Sequence, residues 1–160
     1  MSVFFSGSEI VEVALGLERN GEVFYKAMAE KTPEKNTKAI YDYLAGEERK
    51  HLNIFKGMQD SVGSFEPPEA YPGEYMLYLK SLVDNAVFKD SADAQRRAAG
   101  SANEIEAFDI GIQAEKDSIL FYSEMQNFVS ANDSKIVNDI INEERTHLKQ
   151  LAELKDQVKK

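Results

Sequence analysis

Along most of this chain, apolar residues recur every three to four positions and charged residues fill the gaps between them. That period predicts helices with one buried face rather than strands. Four long segments carry it. The first runs from about Ser8 to Lys31, and SGSE at residues 6–9 offers it a capping-box start. The second begins near Thr32, with Pro33 suited to the first helical position, and runs to about Asp60. The third opens at SANE, residues 101–104, a second capping-box pattern, and runs to about Ser130. The fourth follows Asn132 and Asp133, both good caps, and reaches nearly to Lys160.

Residues 61–100 separate the second and third segments. SVGSFEPPEAYPGEY is turn-rich, and MLYLKSLVDNAVF reads as one short apolar helix. So long a connection is unusual between antiparallel neighbours. It suits a chain travelling back along a bundle roughly 36 Å tall, at about 1.5 Å per helical residue. The pattern thus predicts an all-α four-helix bundle forming one domain over residues 1–160. A hairpin at 8–60 and another at 101–158 are joined by a crossover at 61–100.

The two hairpins repeat each other. EERKHL at residues 47–52 returns as EERTHL at 143–148, an offset of 96. At an offset of 97, Glu18 aligns with Glu115, Phe24 with Phe121, Tyr25 with Tyr122 and Met28 with Met125. This is the mark of a duplicated helical hairpin.

The periodicity also sets four glutamates on the apolar faces. Residues three, four and seven away share a helical face. Around Glu48 these include Tyr41, Leu44, His51, Leu52 and Phe55, and around Glu144 they include Val137, Ile140, Ile141, His147 and Leu151. Glu18 lies among Val11, Ala14, Leu15 and Tyr25, and Glu115 among Phe108, Ile112, Ile119 and Tyr122. Glu47 and Glu143, one position earlier, share their faces with Lys50 and with Asp139 and Thr146, so they read as boundary or solvated positions. Buried carboxylates need compensation, and the four stripes offer no lysine or arginine partner. Two divalent cations would balance four carboxylates, with His51 and His147 completing the coordination. An oxygen-and-imidazole set suits iron or manganese; zinc is an alternative, and the histidines make calcium a poorer one.

Neighbouring residues admit two readings each. Tyr25 and Tyr122 read first as core residues with a bonded hydroxyl, and alternatively as partners of ligand carboxylates. Glu22 lies one turn beyond Glu18 but repeats as Ile119, so it reads equally as a boundary residue or as a support to the site. Gly21 and Ser118 would allow close packing or leave room for a small substrate.

Composition narrows the function. Lys plus Arg total 19 against 28 Asp plus Glu, a net charge of −9, which leaves no basic patch for a nucleic acid. There is no cysteine, so thiolate metal sites, disulfides and cysteine nucleophiles are excluded. MSVFFSGSEIVEV lacks the basic and apolar regions of a signal peptide, and no apolar run reaches bilayer-spanning length. The expected location is the cytoplasm.

ALGLERNGEVFYKAM, EERKH, IQAEKDSILFYSEM and EERTH together resemble the rubrerythrin family of the ferritin-like superfamily, over almost the whole chain. The resemblance implies metal ligands at Glu18, Glu48, His51, Glu115, Glu144 and His147, with bridging glutamates among them. It implies two iron ions, peroxide or dioxygen as substrate and a homodimer. Full-length rubrerythrins carry a cysteine-ligated rubredoxin iron as electron source; without cysteine, this chain would need an external donor such as a rubredoxin-like protein. Some members have an additional glutamate one turn before the third-helix ligand, where this chain has Ile112. The leading expectation is a di-iron oxidoreductase. The alternatives are iron binding with ferroxidase-type storage or buffering, or a structural helical module with an empty site.

Overall fold

The computed structural model describes residues 6–160; residues 1–5, which open the stretch read against a signal peptide, lie outside the described residues. Among the described residues six helices follow one another: α1 (Gly7–Lys31), α2 (Lys35–Lys56), α3 (Glu74–Asp84), α4 (Ser91–Gly100), α5 (Glu104–Met125) and α6 (Ala131–Lys159). There is no strand among the described residues. The four long segments of the pattern are α1, α2, α5 and α6.

Their ends follow from capping chemistry. Ser6 caps α1 with the full reciprocal box: its hydroxyl accepts from the Glu9 amide, and Glu9 accepts from the Ser6 amide. The other starts shift from the sequence expectation. Glu34 caps α2, accepting from the amides of Asn36 and Thr37, so Pro33 precedes the helix and Thr32 ends α1. Asn103, not Ser101, caps α5, because Ser101 already terminates α4. Ser130 caps α6, which puts Asn132 and Asp133 in its first turn. The crossover holds two helices rather than one. α4 carries only alanine as its apolar residue type, so no hydrophobic stripe announced it, yet Ala94 and Ala98 are fully buried.

The core divides into two apolar layers. One gathers Ile10, Val11 and Leu15 of α1, Leu52 and Phe55 of α2, Phe121 and Tyr122 of α5, and Val137, Ile140 and Ile141 of α6. The other gathers Phe24, Tyr25 and Met28, then Tyr41 and Leu44, then Ala107 and Phe108, and Leu151. The order in which each helix visits them gives the topology. α1 and α6 run from the first layer to the second, and α2 and α5 run the opposite way. The crossover must therefore carry the chain back from one end to the other. Leu79 of α3 joins the first layer on the way, and Phe88, Ala94 and Ala98 join the second. Polar bonds fasten this strap: Gly63 N donates to Phe128 O at 2.7 Å, Tyr75 Oη to Glu124 at 2.6 Å and Val87 N to Asp117 at 2.7 Å.

Candidate metal centre

Between the two layers, at mid-height, each long helix contributes its glutamate. Glu18, Glu48, Glu115 and Glu144 are all buried, as are His51 and His147. The structure thus brings together all six residues that the periodicity singled out. Ligand-capable atoms of Glu48, Glu115, Glu144 and His147 lie within 4.8 Å of one another, and those of Glu18, His51 and Glu144 form a second such group. Glu144 belongs to both, the position a bridging carboxylate needs.

His51 Nδ1 is 3.1 Å from Glu144 Oε1 and 3.5 Å from Glu18 Oε2. His147 Nδ1 is 2.9 Å from Glu144 Oε2 and 3.8 Å from Glu115 Oε2. The two imidazoles face each other nearly parallel, with centroids 6.0 Å apart. Both therefore turn Nδ1 toward the carboxylates. The i to i+3 spacing of Glu144 and His147 on one helical face makes their contact local, whereas His51 reaches Glu144 from α2.

Two tyrosines cross-link the halves. Tyr122 of α5 donates to Glu18 Oε1 of α1 at 2.5 Å, and Tyr25 of α1 donates to Glu115 Oε1 of α5. Each is a fully buried core residue whose hydroxyl bonds a candidate ligand. Burial, with the nearby carboxylates adding to it, holds both hydroxyls well above the usual tyrosine range, so they stay donors. Glu22 faces away: Arg49 Nη2 and Lys26 Nζ each lie 2.6 Å from its Oε1. It is an ion pair between α1 and α2, not a support to the site. Gly21 is there for space. A Cβ on it would lie 2.6 Å from Glu48 Oε2, so the helix must expose bare backbone for that carboxylate to fit.

The charge problem is visible in the proton affinities. Burial, then the repulsion of neighbouring carboxylates, pushes Glu48 and Glu115 well above the ordinary carboxylate range and raises Glu18. Burial acts on Glu144 too, but hydrogen bonds with His147 and His51 outweigh it and hold this carboxyl down at about 2. Burial opposes protonation of His51, yet its bond with Glu144 and the nearby Glu18 carboxylate, 3.5 Å away, push it up to about 12. Glu18 Oε2 is buried without a hydrogen-bond partner. A carboxyl oxygen left orphaned beside an imidazole and three more carboxyl groups fits a cation. The donor set, all oxygen and imidazole, fits a pair of first-row divalent ions.

The periodicity missed the outer partners. Glu143 reads from the pattern as a boundary or solvated position, and half its side-chain surface is exposed (51%), yet its Oε2 lies 2.7 Å from Nε2 of buried His51. Glu47 is more buried than a boundary position and is tied to Lys50. Finding the first would have required knowing how α2 and α6 face each other.

Comparison with known proteins agrees with this geometry. A solved structure described as a ferritin-like diiron-carboxylate protein of Thermotoga maritima shares 31% identity, with a TM-score of 0.75. The match covers 96% of this chain and 97% of that one. No curated protein is similar to the chain. The family model named Rubrerythrin matches residues 9–155. With its duplicated helical hairpins and a buried carboxylate–histidine cluster at mid-height, this chain belongs to the rubrerythrin family.

Proposed function

We propose that the chain is a di-iron carboxylate oxidoreductase that reduces hydrogen peroxide or dioxygen with electrons from another protein. The observation that carries this reading is the cluster itself: four buried glutamates and two histidines at one level, with one carboxylate oxygen unpartnered. Glu18 and His51 would hold one ion, Glu115, Glu48 and His147 the other, and Glu144 would bridge them. Two ferrous ions bound there would each supply one electron, so that peroxide and two protons yield two waters.

The chain's own residues do the rest. Tyr122 and Tyr25 fix the orientation of Glu18 and Glu115, each gripping the oxygen that is not needed by an ion. The two apolar layers above and below exclude bulk water and strengthen every interaction between them. The space at Gly21 is taken by the Glu48 carboxylate rather than left for a substrate. Re-reduction would come from outside these residues, which include no cysteine to hold a rubredoxin-type iron. A rubredoxin-like protein is the class of donor that would serve.

Iron analysis and an anaerobic peroxide titration test the reading together. Protein reconstituted with Fe(II) should hold two irons per chain and show stoichiometric oxidation on adding peroxide. Two bound irons that peroxide leaves spectrally unchanged would favour iron buffering over catalysis. An iron-free chain after reconstitution would reject a dimetal centre altogether.

A further inference from the structure

The hexapeptides EERKHL and EERTHL differ at one position, Lys50 against Thr146. That difference coincides with a break in the symmetry of the centre. Glu143 reaches across from α6 and sets its Oε2 2.7 Å from Nε2 of His51. Its repeat mate Glu47 makes no such bond to His147. Lys50, one turn on in α2, pairs with Glu47 instead. The residue in the matching place on α6 is Thr146, whose hydroxyl donates to the Asn142 carbonyl at 3.1 Å and leaves Glu143 alone. Among the described residues no carboxylate bonds the outer nitrogen of His147; its ring meets Tyr43 edge-on, with centroids 6.1 Å apart.

We infer that Glu143 is a positioning residue for His51, and that it makes the metal position at His51 the stronger of the two. A neutral imidazole has one ring proton. When Nε2–H donates to Glu143, the lone pair on Nδ1 is fixed on the inner side, facing Glu18 and Glu144. The negative partner also raises the basicity of the ligating nitrogen. Glu47 offers an oxygen within 4.8 Å of the same histidine, but Lys50 neutralises it. His147 also turns Nδ1 inward, through its contact with Glu144, but no carboxylate on its outer nitrogen fixes the tautomer or adds charge. The duplicated hairpins therefore build two unequal metal positions, and the inequality traces to one lysine.

This inference rests on the dimetal reading. An anaerobic Co(II) titration of the full chain tests it, with visible absorption following each equivalent. Wild-type protein should bind two ions in two resolved steps. Glu143→Ala should weaken the tighter step by about 10- to 100-fold, the usual effect of removing such a partner, and leave the other within about threefold. Glu143→Gln should fall between. Glu47→Gln should change neither step by more than about threefold. Thr146→Lys, at an exposed position, should mimic the Lys50 arrangement and weaken the tighter step as well. Wild-type steps retained unchanged in Glu143→Ala, or weakened equally, would overturn the inference while leaving the dimetal centre intact. No Co(II) binding by the wild-type chain would overturn both.

Discussion

At the scale of single residues, the site depends as much on what is missing as on what is present. Gly21 carries no side chain because Glu48 occupies that volume, with Oε2 2.6 Å from where a Cβ would stand. Gly21→Ala should push the Glu48 carboxylate off its position and lower metal affinity by about tenfold or more, since ligand geometry tolerates little displacement. Gly16, five residues earlier in α1, has open space where its Cβ would go. Gly16→Ala should leave affinity unchanged and stabilise the helix by up to about 1 kcal/mol. Metal titration and denaturant unfolding of both variants would check this; equal affinities would show that Glu48 can move freely. The six clustered residues were legible in the sequence because a 3.6-residue period assigns each to the apolar face. Their partners were legible only in part. Tyr25 and Tyr122 could be placed in the core, but the bonds to Glu115 and Glu18 join α1 to α5 over 90 and 104 positions, beyond the reach of any local pattern.

At the scale of elements, the long helices were readable and the strap between them less so. Helices α1, α2, α5 and α6 bury broad stripes of large side chains, whereas α4 buries Ala94 and Ala98 beside Asp93. A polar fastening adds to the packing of these alanines. Lys31, at the end of α1, donates to the carbonyls of Ala98, Ala99 and Ser101 at 3.1, 3.2 and 2.7 Å. A lysine there supplies the donors that the last carbonyls of α4 lack, and its charge complements the helix terminus. Lys31→Met should cost about 1 kcal/mol. More tellingly, it should speed amide exchange in α4 while leaving α2 and α6 protected. Uniform loss of protection across the bundle would show instead that α4 folds and unfolds with the whole. The misplaced helix starts have a similar cause. Thr32 and Ser101 have capping chemistry, but each ends the preceding helix, so Glu34 and Asn103 take the role. Local sequence offered several caps within three residues, and tertiary packing chose among them.

At the scale of the whole molecule, the centre makes stability depend on protons and metal in competition. Glu18, Glu48 and Glu115 are raised above their ordinary 4.5, and His51 is pushed from 6.5 up to about 12. In all four, the folded chain binds a proton more tightly than the unfolded chain. Their stabilising contribution is complete below the unfolded values and is lost as pH rises toward the folded ones. Glu144, held at about 2, acts in the opposite sense: its contribution is present above 4.5 and fades only in strong acid. Between about pH 5 and 9, therefore, the metal-free protein should lose thermal stability as pH rises. The net charge of −9 would push the same way through surface repulsion. Salt separates the two, because at about 0.5 M the screening length falls to roughly 4 Å while buried groups are little affected. Divalent ions replace the site's protons, so metal should stabilise more at high pH than at low. At 100 times the dissociation constant, Mn(II) should contribute about 2.7 kcal/mol, a rise of roughly 5–10 °C for a chain of this size. Melting curves at about 0.5 M salt, with and without Mn(II), at pH near 5.5 and 8.5 decide the matter. A metal-free midpoint that climbs with pH, or a metal shift no larger at the higher pH, would mean that the buried carboxylates do not hold the protons assigned to them.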